Sequence, residues 1–384
     1  MLFRLVFGSF PFVVFVLLAW TFLSPGYLGT RGRAIGLAAL LLCAAKFMCF
    51  AALGGNAFAP ELPEWVIRIW NFAYSGMMIL FALSLAGQVV RFLLRKFAKT
   101  DIPRAVWLVT LPVIAWGLSA RGIWNGTKPP EIVEVEIEFD NLPEDLDGYR
   151  IAHLSDIHAS AAARRWRTEE IVDRANALRA DLLCLTGDYA DGPSAAEFAN
   201  IEPLSRLLAK DGVLAVTGNH EYYYDTIGWI GKYSTLRNVE FLVNSCVFPR
   251  RSLAVGGVND IAAAQFGFTP PDPDAAFASA TNGEFRILLQ HRPAPDYAGT
   301  TGRIPTAHVD LQLSGHTHGG VLPIMKSLVA AVNSGYVRGA YRRDDGSVVH
   351  VSEGAGQWAG FPMRFMDDPT ITLITLRKGV RREK

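Results

Sequence analysis

The stretch LSGHTHGG, residues 313–320, places His316 and His318 one residue apart between glycines. The whole chain of 384 residues contains only eight histidines, so a pair at this spacing calls for an explanation. It is either a chance pair on a surface loop or part of a metal site. The segments that precede it along the chain decide between these two interpretations.

Several earlier segments share the arrangement seen before His316, an apolar run that ends in polar side chains. With the last one included, these segments are YRIAHLSDIH (149–158), DLLCLTGD (181–188), GVLAVTGNHE (212–221), FRILLQH (285–291) and VDLQLSGHTH (309–318). Helical spacing in residues 167–180 and 195–210 separates the first three runs. Because short apolar runs that alternate with helices are typical of an α/β sheet, the pattern predicts an α/β fold for this part of the chain.

Polar side chains stand at the end of each predicted strand. They are Asp156, His158, Asp188, Asn219, His220, His291, His316 and His318. In α/β sheets, ligands bind beyond the carboxyl ends of the strands, so we expect these side chains to converge on one rim. The other histidines, at 153, 308 and 350, do not end strands and are expected to be structural. The ordered set favours a metal site, and the absence of any CxxC pair among four cysteines leaves nitrogen and oxygen as ligands.

The N-terminal third of the chain differs from this region in composition. Hydrophobic residues make up 50% of the chain, and the excess is concentrated in residues 1–120. Crossing a bilayer takes ~20 apolar residues. The longest apolar runs predict about four transmembrane helices, at residues 5–24, 34–56, 67–91 and 104–121. We therefore expect a transmembrane domain (1–122), a linker with the first strand (123–148), the α/β domain (149–376) and a basic tail (377–384).

The charges between the apolar runs predict an orientation in the membrane. Arg31 and Arg33 lie between the first two runs, and residues 91–104, between the last two, carry further arginines and lysines. The loop between the second and third runs carries Glu61 and Glu64 and no basic residue. Because basic loops stay in the cytoplasm, we expect a multi-pass protein of the cytoplasmic membrane with an extracytoplasmic C-terminal domain. If the fourth run does not cross, the domain lies in the cytoplasm instead.

The motifs DIH, GDYAD, GNHEYY, QH and GHTHGG, in this order, resemble those of the calcineurin-like metallophosphoesterases. The resemblance runs from about Tyr149 to Leu376, and LSDIH, LTGDYAD and LSGHTHGG together resemble the membrane-anchored bacterial branch. It implies a four-layer αββα sandwich with metals at its rim, preceded by N-terminal transmembrane helices. Histidine and carboxylate ligands suit manganese, iron or zinc, with no clear choice among the three.

The resemblance also implies a role for each residue of the ordered set. One divalent ion would be held by Asp156, His158, Asp188 and His318, and a second by Asp188, Asn219, His291 and His316. Asp188 would bridge the two ions, and His220 would face the substrate phosphate without binding metal. Two such ions, ~3.5–4 Å apart, clamp a phosphoryl group and lower the pKa of bound water, so that a hydroxide can attack phosphorus in line.

We therefore expect a membrane-anchored, dinuclear-metal-dependent phosphoesterase that hydrolyses phosphate monoesters or diesters. Anchoring favours lipid-linked or envelope phosphates as substrates, and a net charge of +1 gives no indication of nucleic acid as a partner. Arg364 and the tyrosines at 222–224 are further candidates for contact with the substrate.

Two alternatives remain open at this point. The first is hydrolysis of the pyrophosphate in UDP-2,3-diacylglucosamine during lipid A synthesis, which needs a cytoplasmic active site and so conflicts with the loop charges. The second is a non-catalytic membrane sensor or transport module that carries a phosphoesterase-like domain.

Overall fold

The computed structural model describes residues 2–23, 28–281, 283–320, 322, 325–358, 360, 363–365 and 367–379. The chain separates into two compact units, Met1–Asn125 with Gly360–Met363 and Gly126–Ala359 with Arg364–Lys384. Most of the predicted basic tail, residues 380–384, lies outside the described residues.

Apolar helices make up the first unit. They are α1 (Leu2–Phe22), α2 (Thr30–Ala44), α3 (Lys46–Gly54), α4 (Glu64–Leu93) and α5 (Arg104–Thr127). Two stretches, Glu64–Ala98 and Val106–Thr127, are long and apolar enough to cross a membrane, and the bent pair α2 and α3 makes a third if it is one span. The first predicted span lies on α1, where Gly8–Phe22 is a shorter apolar helix. The described residues thus provide two or three candidate spans, and the fourth stays a prediction.

The second predicted span, residues 34–56, is not one straight helix, because α2 and α3 meet at a bend of 67°. Lys46, the first residue of α3, is completely buried. Its ammonium nitrogen lies 4.7, 5.5 and 4.8 Å from the ring centres of Phe47, Phe50 and Tyr74. A buried cation is costly in apolar surroundings, and attraction to aromatic ring faces offsets part of that cost. The charge that interrupts the apolar run is therefore accommodated inside the unit, next to the bend.

Two six-stranded sheets form the frame of the second unit. The first has the order β1–β12–β2–β3–β4–β5 and the second β10–β11–β9–β8–β7–β6. Strands of the first sheet are β1 (Glu131–Phe139), β2 (Arg150–Leu154), β3 (Leu182–Leu185), β4 (Val213–Ala215), β5 (Glu240–Phe241) and β12 (Thr370–Lys378). Strands of the second sheet are β6 (Ser245–Arg250), β7 (Leu253–Gly257), β8 (Phe285–Leu289), β9 (Leu311–Ser314), β10 (Gly339–Arg342) and β11 (Val348–Val351). Each sheet has a block of four parallel strands, β2 to β5 in the first and β7, β8, β9 and β11 in the second.

Short helices connect these strands. They are α6 (Arg165–Ala177), α7 (Ser194–Ile201), α8 (His220–Tyr223), α9 (Thr226–Tyr233), α10 (Ala262–Gln265), α11 (Pro273–Ala276), α12 (Tyr297–Thr301) and α13 (Lys326–Val332). The helical spacing at 167–180 corresponds to α6, and that at 195–210 to α7 followed by the 3-10 helix Glu202–Arg206.

The side chains of β2 point alternately to the two faces of the first sheet, which shows how the layers of the second unit pack. Ile151 faces a core between the two sheets, which it shares with Cys184 of β3 and Leu313 of β9. Ala152 and Leu154 point the other way and pack with apolar residues of α6 and α7. The outer face of the second sheet packs in the same manner against α11 and the residue that follows it. Helices therefore cover both outer faces, which confirms the predicted αββα sandwich.

Two buried histidines face each other inside the intersheet core. The Nδ1 atoms of His153 on β2 and His350 on β11 are 3.0 Å apart, and His153 Nε2 lies 2.9 Å from Thr186 Oγ1. Burial lowers the pKa of His350 to about 4. Burial and the nearby His350 hold the pKa of His153 well below its usual value. Both rings are therefore neutral in the folded protein near neutral pH.

We predict that acid destabilises the fold through this histidine pair. In the unfolded chain both rings take up a proton as the pH falls through about 6.5, whereas the folded protein resists protonation until a lower pH. The free energy of unfolding should therefore decrease as the pH falls from about 6.5 to 4. For His350, the pKa change from 6.5 to about 4 corresponds to about 3 kcal/mol.

The measurement is the thermal unfolding midpoint of the full chain at a series of pH values. Replacing both rings, in the double variant His153→Leu with His350→Leu, should flatten the acid limb of this profile. His308→Asn, which changes a largely exposed histidine, is the matched control and should keep the wild-type slope. An unchanged slope in the double variant would contradict the assignment.

Candidate metal centre

The polar residues singled out in the sequence lie beyond the carboxyl ends of five parallel strands. Asp156 and His158 follow β2, Asp188 follows β3, Asn219 and His220 follow β4, His291 follows β8, and His316 and His318 follow β9. Three of these strands belong to the first sheet and two to the second. The sandwich therefore brings residues from both sheets to one rim.

The first group of metal-binding atoms comes from Asp156, His158 and His318. The two histidine Nε2 atoms are 3.1 Å apart. Asp156 Oδ1 lies 3.9 Å from His158 Nε2 and 3.4 Å from His318 Nε2. Imidazole nitrogens gathered around a carboxylate oxygen are a donor set that fits a divalent transition-metal ion.

The second group comes from Asp188, His291 and His316. His291 Nε2 lies 3.2 Å from Asp188 Oδ2 and 3.1 Å from Asn219 Oδ1. Asp188 Oδ2 is also 3.8 Å from His158 Nε2, so this carboxylate stands between the two groups. The structure thus brings together the seven residues expected to bind metal, and their division between two ions stays a prediction.

Strained backbone marks the same rim. Asp156, His158, Asp188, His316 and His318 have φ values of 53°, 49°, 57°, 73° and 48°, in the left-handed region that L-residues seldom occupy. They are five of the nine non-glycine residues with positive φ in the described part of the chain. Each such residue costs of order 1 kcal/mol and persists only where the surrounding structure imposes it. Such strain is typical of functional sites.

Asp191, which the sequence analysis did not assign, orients two histidines at once. Its Oδ1 accepts hydrogen bonds from His158 Nδ1 at 3.0 Å and His220 Nδ1 at 2.5 Å, so neither ring uses Nε2 to bind Asp191. Burial opposes its ionisation, but the two imidazoles lower the pKa of Asp191 to about 2. The available signal was the second acid of GDYAD, three residues after Asp188.

Glu221 is a second residue whose role the sequence analysis missed. Its buried carboxylate accepts hydrogen bonds from the backbone N–H groups of Asp188, Tyr189 and Gly218, at 3.0, 2.8 and 2.6 Å. The turn at Gly187 and the turn at Gly218 lie very close together. A Cβ atom on Gly187 would be 2.3 Å from the Gly218 nitrogen. Glu221 and the glycines together fix the turn that presents Asp188.

His220 lies beside both groups. Its backbone N–H donates to Asp188 Oδ1 at 2.8 Å, and its Nε2 is 3.9 Å from Asp188 Oδ2. Burial disfavours a charged ring, but the carboxylates of Asp188 and Asp191 raise the pKa of His220 to about 9. His158, Asp191 and His220 are also close enough to form a third group of possible ligands, but the hydrogen bonds of Asp191 account for that proximity.

Aromatic rings surround His220. The ring centres of Tyr223, Tyr224 and Trp358 lie 5.4, 6.4 and 5.7 Å from that of His220. Tyr223 is 47% exposed, whereas Tyr222 is buried. Of the tyrosines at 222–224, Tyr223 and Tyr224 are therefore the two that can border a substrate.

Arg364 does not have the position expected for a substrate-facing charge. Its side chain is buried, and the guanidinium donates hydrogen bonds to the carbonyl oxygens of Glu353 at 2.7 Å and Gly356 at 2.5 Å. The same group lies 2.9 Å from His318 Nδ1. Arg364 therefore supports the loop behind His318, and the expectation that it contacts substrate is wrong.

The fold and the paired donor groups define a metal-dependent phosphoesterase class, and comparison with known proteins agrees. Residues 149–320 match the family described as calcineurin-like phosphoesterase. An uncharacterized metallophosphoesterase of Helicobacter pylori (strain ATCC 700392 / 26695) is 31% identical over 284 residues, which are 73% of this chain and 72% of that protein. The chain belongs to the calcineurin-like metallophosphoesterase family, as its motifs predicted.

A zebrafish relative also bears on the first unit. The "Transmembrane protein with metallophosphoesterase domain" of Danio rerio is 32% identical over 70% of this chain, and the match spans only 62% of that protein's length. Its name and the apolar helices of the first unit indicate membrane association. A dimetal phosphatase of known structure, also from Danio rerio, aligns over 54% of this chain and 88% of that chain with a TM-score of 0.37 and 12% identity, too weak to support an inference.

We predict about two divalent ions per chain in protein purified without chelators, because the rim offers two donor groups. Asp188→Asn removes the carboxylate that stands between the groups and should lower the content to one ion or fewer. Elemental analysis by mass spectrometry measures this directly. Asp173→Asn, on the exposed face of α6, is the control and should retain the wild-type content. Equal metal content in both variants would argue against a bridging Asp188.

Proposed function

We propose that this protein hydrolyses phosphate monoesters or diesters with two divalent metal ions at the surface of the cytoplasmic membrane. The observation that supports the proposal is the pair of adjacent donor groups with His220 beside them. One ion would bind Asp156, His158, Asp188 and His318, and the other Asp188, Asn219, His291 and His316. When bound, the ions supply Lewis acidity that polarises the phosphoryl group and activates water.

His220 is the proposed proton donor of the reaction. Because its Nδ1 is bound to Asp191, the ring can offer only Nε2 to a substrate. From that atom it donates a proton to the leaving-group oxygen or a hydrogen bond to a phosphoryl oxygen. The nearby rings of Tyr223, Tyr224 and Trp358 border the space in front of His220 and limit its access to water. The protein thus contributes a positioned acid in a largely enclosed, polar rim.

We predict that His220→Ala retains both metal ions and loses most of the hydrolysis of bis(p-nitrophenyl) phosphate. Loss of a positioned general acid should lower kcat by about 10²–10⁴-fold. The experiment pairs steady-state kinetics with metal analysis of the same samples. His308→Ala, a change at a histidine outside the rim, is the control and should keep wild-type kinetics. Wild-type turnover in His220→Ala would exclude the proposed role.

The location of the second unit is proposed on the outer side of the membrane. The loop charges support this orientation, and they also favour counting α2 and α3 as one crossing. If that bent pair entered and left on one side, the basic loop at Arg31 and Arg33 and the basic loop at 91–104 would face opposite sides. That arrangement conflicts with the preference of basic loops for the cytoplasm. An outward-facing site next to the bilayer would meet lipid-linked or envelope phosphoesters.

We predict that alkaline phosphatase fused after Lys384 is active in intact bacterial cells, because this reporter folds to its active form outside the cytoplasm. A β-galactosidase fusion at the same position is the complementary control and should be inactive. The reverse pattern would place the second unit in the cytoplasm. It would favour hydrolysis of a nucleotide-linked pyrophosphate such as UDP-2,3-diacylglucosamine.

A further inference from the structure

Arg292 follows His291 directly along the chain and is not one of the eight predicted site residues. Its side chain is 26% exposed, whereas the side chain of its ion-pair partner Asp260 is only 1% exposed. Arg292 Nε donates to Asp260 Oδ2 at 3.1 Å. Asp260 is itself fixed, because its Oδ1 accepts a hydrogen bond from the Ala262 backbone N–H at 2.8 Å. The buried carboxylate therefore anchors one edge of a guanidinium that is partly open to solvent.

The backbone at Arg292 is held by side chains of the same sheet. Gln290 donates to the Arg292 carbonyl oxygen at 2.8 Å, and Gln312 donates to the Pro293 carbonyl oxygen at 3.0 Å. A long side chain that is ordered in advance loses less entropy when it binds a ligand. Because its backbone and its Nε are both fixed, Arg292 is preorganised for such a contact.

Two further interactions place the Arg292 guanidinium beside the metal-binding residues. It donates a hydrogen bond to the hydroxyl of Tyr223, whose ring centre lies 5.4 Å from that of His220. It also interacts electrostatically with the Asp188 carboxylate and the His316 ring. Arg292 therefore belongs to the same rim as His220, and Tyr223 contacts both of them.

Arg292 has the accessibility that Arg364 lacks. Arg364 is 2% exposed, and its guanidinium donates to backbone carbonyl oxygens behind His318. A guanidinium has five N–H donors, so the bond from Arg292 Nε to Asp260 leaves others for further acceptors. Guanidinium groups bind phosphate oxygens through charge-assisted hydrogen bonds. Of these two arginines, Arg292 is the one that can meet a substrate phosphate.

The charge on the phosphoryl group differs between the two classes of ester. A phosphate monoester has three non-bridging oxygens and, above its second pKa of about 6, close to two negative charges. A diester has two non-bridging oxygens and one negative charge, since its third oxygen carries a second organic group. Hydrogen bonds from a cation are stronger when the acceptor is ionised. A fixed guanidinium at the rim therefore adds more to the binding of a monoester than of a diester.

We propose that Arg292 binds a non-bridging oxygen of the substrate phosphoryl group and makes the protein selective for phosphate monoesters over diesters. The inference rests on the proposed hydrolysis and narrows its substrate class. In that reaction water adds to phosphorus, the ester P–O bond breaks, and the products are an alcohol and inorganic phosphate. The alcohol oxygen takes its proton from His220, whereas Arg292 stays protonated and holds the phosphoryl group.

Steady-state kinetics of the metal-loaded full chain test the selectivity, with p-nitrophenyl phosphate and bis(p-nitrophenyl) phosphate compared at about pH 8, where the monoester is a dianion. The wild-type protein should have the higher kcat/KM for the monoester. Arg292→Gln keeps a hydrogen-bond donor for Asp260 but removes the charge. It should lower kcat/KM for the monoester by about 10- to 100-fold, the loss expected for a hydrogen bond between charged groups. The diester should lose less, so the ratio of the two values should shift toward the diester by about tenfold.

Two further variants and one measurement separate substrate binding from support of the fold. Arg251→Gln, at an exposed arginine on the turn between β6 and β7, is the matched control and should keep both kinetic values. Arg292→Lys restores the charge and should recover part of the monoester activity lost in Arg292→Gln. The metal content of every variant should equal that of the wild type. Fewer bound ions in Arg292→Gln would mean that the residue serves its neighbour His291, and the proposal would be overturned.

Binding of inorganic phosphate, followed by isothermal titration calorimetry of the metal-loaded full chain, tests Arg292 without hydrolysis. The Kd should rise by about 10- to 100-fold in Arg292→Gln and stay at the wild-type value in Arg251→Gln. An unchanged Kd, equal losses for both esters, or a wild-type preference for the diester overturns the role of Arg292 and leaves the proposed hydrolysis standing. If the wild-type protein hydrolyses neither ester while phosphate binding still depends on Arg292, the proposed hydrolysis is refuted and Arg292 remains a phosphate-binding residue.

Discussion

Four buried carboxylates at one rim set the constraint on which the rest of the site depends. Asp156, Asp188, Asp191 and Glu221 are each no more than 2% exposed. Carboxylates at this depth are tolerated only when paired, since an unpaired buried charge is strongly destabilising. Glu221 meets this requirement with three backbone N–H groups and Asp191 with two imidazoles, whereas Asp156 and Asp188 face a cluster of histidine Nε2 atoms. Divalent ions bound between the donor groups would supply positive charge to Asp156 and Asp188 with the matching ligand chemistry.

Hydrogen bonds around these buried carboxylates also account for the strained backbone at the rim. Asp156 and His158 have positive φ, yet their N–H groups are bound to the carbonyl oxygens of Gly187 and Asp188, at 3.0 and 3.1 Å. The His316 N–H donates to both carboxylate oxygens of Asp156, at 3.1 and 3.0 Å. Three of the five strained residues are thus held by hydrogen bonds from their own N–H groups. Hydrogen bonds within the fold therefore orient the donor groups, as contacts behind the ligands do in metal sites.

The strands that end in metal-binding residues were predictable from the sequence. Two edge strands, two supporting carboxylates and one bend between helices were not. The ends of β2, β3, β4, β8 and β9 were predicted because each apolar run stops at Asp, Asn or His. In contrast, β6 and β10 lie at a sheet edge with partly exposed residues and offer no comparable apolar run. Asp191 and Glu221 were missed because their partners, two imidazoles and three backbone amides, become neighbours only when the strands assemble. The bend between α2 and α3 was missed for a similar reason, since the apolar composition continues across it.

The helix α9 shows that the supporting structure extends beyond the donor groups. A helix that only covers a sheet buries its apolar residues. The helix α9 buries Trp229 and Tyr233 in this way. Yet α9 also exposes Ile227 and Ile230. Exposed apolar side chains of this kind cost free energy in water.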